Sequence, residues 1–295
     1  MKTKPWVMAP RPQYFPITIL PVLLSASLAY YAYHEVNTLY AVLTYVVGIL
    51  LQGFTHVTND YFDVKYGTDL PGSPTTRYRR HPILSGDLSM KDVNLEAIVL
   101  LIASAALGLF FFFTGRPLAI PLGLGAALLC LEYTAPPLKA KYRALNQVVM
   151  FVLEGPYLTL GGFYLQTGRV TALPVLASLP LAFIMCEVLL LDDMKDVEFD
   201  RKVSVRTIPV LFGNATAARL VTAELFSAYG ALVLIAYFHV VPATCLITLA
   251  TFPVLYWNLR VIVRELPPTT GLKSMMVSLI FGLVYAISIV RRDMA

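Results

Sequence analysis

The chain has 295 residues, 57% of them apolar and 14% charged, with a mean hydropathy of +0.68. An ordinary soluble domain is roughly 25% charged, so a conventional soluble enzyme is excluded and the lipid bilayer becomes the first partner. The net charge of +5 sits between apolar blocks, on one side of a transmembrane body, which argues against nucleic acid as its target.

In chain order, the N-terminal Met1-Lys2-Thr3-Lys4-Pro5 is basic, but Pro10-Arg11-Pro12 interrupts any short apolar run and no small-residue cleavage site stands out. The first apolar block is therefore expected to be retained. Blocks of about 17 to 22 residues, each long enough for a hydrocarbon core of roughly 30 Å, start near Pro16, Leu39, Val93, Pro117, Asn146, Leu173, Ala215, Val241 and Gly271, the last reaching about Val290. Glu154-Gly155-Pro156 interrupts the fifth and predicts a kinked or locally unwound helix. The connections are too short to fold alone. The expectation is one integral-membrane domain over residues 1–295, an all-α bundle of nine transmembrane helices. Cys130, Cys186 and Cys245 lie far apart inside apolar blocks and read as buried small residues.

All but four of the 23 Lys and Arg precede the first block or follow an even-numbered one; only Arg116, Arg169, Arg291 and Arg292 fall on the other side. The positive-inside rule then puts the N-terminus and the even-numbered loops in the cytoplasm.

Two acidic clusters close blocks on that side. His56, Asn59, Asp60 and Asp63 fall at i, i+3, i+4 and i+7 and share one helix face; Asp192 or Asp193, Asp196 and Asp200 do the same at the end of the sixth block. Asp60 and Asp63 map onto Asp193 and Asp196 by one constant shift, so an internal repeat relating 39–63 to 173–196 is expected. Like charges so close repel, and hard oxygen donors suit Mg²⁺ completed by substrate phosphate oxygens. The following loops are cationic: Arg77-Tyr78-Arg79-Arg80, Lys139-Ala140-Lys141-Tyr142-Arg143 after Tyr133, and Arg201-Lys202 to Arg206. Carboxylates with Mg²⁺ beside Lys and Arg are the parts needed to hold a diphosphate and stabilise it as a leaving group. Positive-inside topology alone also accounts for basic loops.

Asn59-Asp60-Tyr61-Phe62-Asp63-Val64-Lys65-Tyr66-Gly67-Thr68-Asp69 and Asp192-Asp193-Met194-Lys195-Asp196-Val197-Glu198-Phe199-Asp200 resemble the two aspartate-rich motifs of the UbiA superfamily of intramembrane aromatic prenyltransferases. The resemblance covers nearly the whole chain. It implies that Asn59, Asp60, Asp63, Asp193, Asp196 and Asp200 bind Mg²⁺ and a polyprenyl diphosphate, which ionises so that an electron-rich aromatic acceptor is alkylated. Asp63, Asp196, Lys139 and Arg206 would be catalytic, and Arg11, Arg80, Tyr133, Lys139, Lys141, Arg143, Lys202 and Arg206 would contact diphosphate or acceptor. Gly67-Thr68-Asp69, Tyr133-Thr134, Lys141-Tyr142 and Gly155-Pro156 look like the menaquinone branch, which implies 1,4-dihydroxy-2-naphthoate as acceptor and loss of its carboxylate. Asp192-Asp193 stands where quinone-related members often carry Asn-Asn, and Ser73-Pro74-Thr75-Thr76 and Asp87 depart from that branch. 4-Hydroxybenzoate and geranylgeranylglyceryl phosphate are the alternative acceptors.

The resemblance also implies a polar pocket facing the cytoplasm, capped by loops 66–89 and 197–213, with an apolar tunnel into the membrane. A CDP-alcohol phosphotransferase needs a D-x-x-D-G-x-x-A-R run, whose Gly and Arg are missing after Asp63. An ion-coupled secondary transporter would place its acids near the midplane rather than at helix ends. Glu132, Glu154 and Glu187 are further intramembrane acids, each open to a site role or to a structural one.

Overall fold

The structure is a computed structural model and describes residues 3–290; Lys2, Arg291 and Arg292 lie outside them. The described residues form helices and turns with no strand. A short helix Thr3–Met8 and a 3₁₀ turn Pro12–Thr18 lead into α1 (Ile19–Tyr33). There follow α2 (Thr38–Tyr66), α3 (Met90–Phe113), α4 (Ala119–Glu132), α5 (Asn146–Thr167), α6 (Leu179–Lys202), α7 (Asn214–Tyr237), α8 (Ala243–Glu265) and α9 (Thr270–Val290). Seven segments, rather than the nine expected, are long and apolar enough to cross a membrane among the described residues: Lys4–Tyr33, α2, α3, α5, α7, α8 and α9. With 14 residues α4 is apolar but falls below that length, and the last three turns of α6 carry the second acidic motif.

Local chemistry sets the ends of these helices. Asn37 caps α2 by accepting from the Tyr40 amide at 3.0 Å, and Gly67, at φ 71°, takes the left-handed conformation that stops it. Ser89 and Asp92 form a capping box at the start of α3. Within α5, Leu153–Tyr157 is a π-turn, because Pro156 has no N–H to give to the preceding turn. At that turn a Cβ on Gly155 would meet the Ala182 Cα at 3.1 Å, so α5 and α6 approach as closely as only glycine permits.

The helices pack as α2 on α3, α3 on α4, α6 on α7, and α9 against both α1 and α6. Two separate apolar clusters result. One joins α1 and α6 through α9, with Leu190, Leu225, Phe281 and Tyr285 at its heart; the other joins α2, α3 and α4 around Phe54, Val57 and Val93. One end of the bundle is closed by Arg116, whose guanidinium donates to the carbonyls of Leu165 and Gln166 at 2.9 and 3.0 Å. Both acidic motifs lie at the opposite end, where the Gly271 amide at the start of α9 donates to Asp192 Oδ1 at 3.0 Å. Arg116 and Arg169 thus fall away from the acidic end.

Candidate active site

The last turns of α2 bury Asn59, Asp60 and Asp63, and their partners come from three loops. Arg11, left-handed at φ 59° before the 3₁₀ turn, donates to Asp60 Oδ1 at 2.6 Å and Asn59 Oδ1 at 3.2 Å. Arg79 also donates to Asp60, leaving that carboxylate 0% exposed. The chain from Arg79 onward is extended, with φ −148° and ψ 157° at Arg79, so successive side chains alternate in direction. The Arg79 side chain is 8% exposed, Arg80 72% and His81 1%. His81 Nδ1 accepts from the amides of Ile83 and Leu84 at 3.2 Å each, which assigns the ring proton to Nε2. That nitrogen lies 3.2 Å from Asp69 Oδ2 and 3.8 Å from Asp60 Oδ1. Burial pushes the Asp69 carboxyl up, but His81, Lys141 and Arg11 outweigh it and hold the group at about 2.

Asp63 is held differently. Lys141 Nζ lies 2.5 Å from Oδ2, while the Tyr142 hydroxyl and Thr68 Oγ1, the latter at 3.1 Å, donate to Oδ1. Burial pulls the Lys141 ammonium down, yet Asp63 and the neighbouring Tyr142 and Asp69 keep it well above its ordinary range. On α6, Lys195 Nζ bridges Asp196 Oδ2 at 2.6 Å and Asp192 Oδ1 at 3.0 Å, and Asn146 Nδ2 donates to Asp193 Oδ2 at 2.8 Å. Four carboxylates on one helix end are thus met by one ammonium from the same helix.

These groups converge on one cavity. Arg11, Tyr14, Asn59, Asp63, Asp69, Tyr78, Tyr133, Lys141, Asp192, Asp193, Asp196 and Asp200 line it, with His56 and Glu154 further along. Its wall turns apolar at Leu51, Val149, Leu153 and Met185. It adjoins an apolar cavity enclosed by α1 to α5, the two sharing Thr18, Gly48, Leu51 and Leu158.

Of the residues singled out in the sequence, Asp60 lies behind this cavity, neutralised by Arg11 and Arg79. Arg80 turns outward to Asp87, and Arg143, Lys202 and Arg206 are exposed. Lys139 Nζ sits 3.7 Å above the Tyr66 ring, outside the lining. Glu132 caps a turn by accepting from the Leu138 amide at 2.6 Å, and the three cysteines are buried. Sequence reasoning assigned no site role to Arg79, His81, Tyr142, Lys195 or Asn146. The alternation of side chains in the extended stretch after Tyr78 was the signal that separates Arg79 and His81 from Arg80.

The donor set fits a hard divalent cation. Asp60 Oδ2 and Asp69 Oδ2 are buried without a hydrogen bond, and the α6 carboxylates exceed their local positive charge. Asp60, Asp69 and His81 place one ligand atom each within 4.8 Å of one another, but His81 Nδ1 already accepts two backbone amides and the ring proton sits on Nε2, so the imidazole has no free lone pair to turn toward an ion. The oxygen-bearing residues that line the cavity on the two helix ends are Asn59, Asp63, Asp192, Asp193, Asp196 and Asp200, a donor type that suits such an ion.

The profile of the UbiA prenyltransferase family matches residues 18–284. The "UbiA prenyltransferase domain-containing protein 1" of Dictyostelium discoideum is 26% identical over 239 residues, covering 79% of this chain and 69% of that protein. The 1,4-dihydroxy-2-naphthoate octaprenyltransferase of Escherichia coli (strain K12) is 24% identical over 278 residues, covering 90% and 87%. Among solved structures, a UbiA homolog from Archaeoglobus fulgidus bound to DMAPP and Mg²⁺ shares the fold, with a TM-score of 0.62 at 16% identity, covering 96% of this chain and 99% of that one.

Proposed function

We propose the reaction of this chain from its membership: it belongs to the UbiA prenyltransferase family, and it is a transferase. The proposed reaction moves a polyprenyl group from its diphosphate to 1,4-dihydroxy-2-naphthoate, with Mg²⁺ as cofactor. The observation that carries this reading is the meeting of the two acidic helix ends, α2 and α6, on one cavity that also holds Arg11 and Lys141 and runs into an apolar space. Diphosphate requires the polar part and an isoprenoid tail requires the apolar part. The naphthoate relative in Escherichia coli, aligned over most of both chains, favours that acceptor.

Mg²⁺, when bound, would offset the charge on the departing diphosphate; the residues proposed to hold it are Asn59, Asp63, Asp193, Asp196 and Asp200, with Asp60 as a buried support. Arg11 and Lys141 line the same cavity and would bind diphosphate oxygens, adding charge-assisted hydrogen bonds as the allylic C–O bond breaks. Lys195 would keep Asp192 and Asp196 in place through its two short contacts. The aromatic faces of Tyr14, Tyr78 and Tyr133 border the space where an allylic cation would form and would stabilise it. The ring carbon of the acceptor that bears the carboxylate then supplies the electron pair of the new carbon–carbon bond, and the C–COO⁻ bond breaks, returning its electrons to the ring as CO₂ leaves. The apolar walls keep water from capturing the cation first.

The chain is proposed to form one membrane domain of nine crossings, α4 and α6 included, with N-terminus and cavity mouth toward the cytoplasm and helices 39–63 and 173–196 related by duplication. Purified protein in detergent with Mg²⁺ and geranylgeranyl diphosphate, offered the naphthoate, 4-hydroxybenzoate and geranylgeranylglyceryl phosphate separately, tests the reaction by product mass. Prenylated, decarboxylated naphthoquinol is the expected product; product from another acceptor alone would overturn the assignment. In Asp63→Ala and Asp196→Ala the rate should drop by about 10²-fold or more, and undiminished turnover in folded protein would remove these residues from the mechanism.

A further inference from the structure

Away from the cavity, the first turns of α7 and the last turns of α8 enclose a groove that opens to the outside of the bundle. Arg219 from α7 and Arg260 and Arg264 from α8 line it, over Ala218, Leu259 and Val263. The groove lies at the acidic end of the bundle, since α7 begins where the chain returns from α6 and α8 ends just before Gly271 meets Asp192. None of the three guanidiniums is ion-paired among the described residues. Arg219 bonds within its own helix, to the Ala215 carbonyl at 3.4 Å and Thr216 Oγ1 at 3.3 Å. Arg260 leans on Tyr256, 5.9 Å from the ring centroid and 3.5 Å from the hydroxyl.

Positive-inside topology accounts for arginine at this level of the membrane, but not for three from two helices turning into one groove. A second observation fixes the depth: Trp257, 67% exposed, shares the α8 face of Arg260 and Arg264 at i, i+3 and i+7, and exposed Trp marks the headgroup level of a bilayer. Like charges held together repel, and planar guanidinium forks match phosphate oxygens two at a time. Exposed apolar Leu220 and Phe226 continue along the outer face of α7 below the charges.

We propose that this groove binds the phosphate of an anionic phospholipid, with the acyl chains lying down the α7 face. It is separate from the cavity of the transfer reaction and rests on membrane insertion alone, so failure of the acceptor assignment leaves it standing.

Native mass spectrometry of the full chain in detergent, with phosphatidylglycerol and phosphatidylcholine of identical acyl chains, tests it. Each basic side chain near a charged membrane surface contributes roughly fivefold in binding. The wild type should retain phosphatidylglycerol preferentially, and the combined Arg219→Gln, Arg260→Gln and Arg264→Gln variant should retain both lipids alike. Lys91→Gln, an exposed cation at the start of α3, should leave the preference unchanged. An undiminished preference in the triple variant would overturn the proposal, as would an equal loss in Lys91→Gln. Displacement of the lipid by millimolar inorganic phosphate would also overturn it, in favour of a free-anion site. If the triple variant melts at a lower temperature than the wild type in phosphatidylcholine, Arg264→Gln alone supplies the reading, with a loss of about fivefold expected and none overturning the proposal.

Discussion

Asp63 is the residue on which the site's electrostatics turn, since it meets Lys141 from a distant loop while facing the cavity. Lys141→Met leaves a buried carboxylate without its ammonium, and should lower stability by about 2–3 kcal/mol, below a fully buried pair because Lys141 is partly exposed. Thermal unfolding measures this, and adding Asp63→Asn should restore part of the loss by removing the stranded charge. Asp69 makes the matching case for protons. Its folded value of about 2 lies below that of an unfolded carboxyl, so the unfolded chain binds the proton more readily. Its contribution is whole above about pH 4 and disappears as the pH falls through 2. The melting-temperature gap between wild type and Asp69→Asn should therefore narrow between pH 4 and pH 2; a constant gap would show that Asp69 acts without its charge. The acids themselves were legible from helical spacing. Their partners were not, because Arg79 and His81 come from a loop whose alternation depends on where the helix Thr75–Tyr78 ends. Arg79 and Arg80 are one residue apart, and in an extended segment one residue reverses the side chain.

At the scale of elements, apolar blocks were readable because lipid demands length and continuity. Each expected start lies close to a helix, and the interruption at Glu154-Gly155-Pro156 appears as the π-turn. The contact between helix ends was beyond pattern reasoning. Gly271 begins α9 against Asp192, and an added Cβ would run into that carboxylate. Gly271→Ala should therefore displace the Asp192 carboxylate from its place in the second motif and raise KM for the diphosphate more than it lowers melting temperature. A purely thermal effect with unchanged KM would mean that this contact only braces the fold. Gly155→Leu belongs to the same class, as its side chain has no room beside Ala182.

For the whole molecule, the proposed reaction has the isoprenoid tail housed in the apolar cavity enclosed by α1 to α5. Gly161 lines it, and a Cβ there meets nothing within 4 Å. Gly161→Phe should fill part of the space, abolishing transfer from long-chain diphosphates while sparing dimethylallyl diphosphate; product mass over a chain-length series reads this directly. Equal use of all lengths would place the tail elsewhere. The two apolar clusters meet at the polar cavity, which Ile17 and Met185 of one and Leu51, Cys130 and Leu153 of the other line together, so the bundle is two half-cores meeting along a seam. In the proposed reaction an isoprenoid laid into that seam would be packing material as much as reactant, supplying the van der Waals neighbours of a continuous core. Stability then follows substrate concentration by mass action. On that reading each product release would reopen the protein's own interior, making turnover a cycle of tightening and loosening of the fold itself.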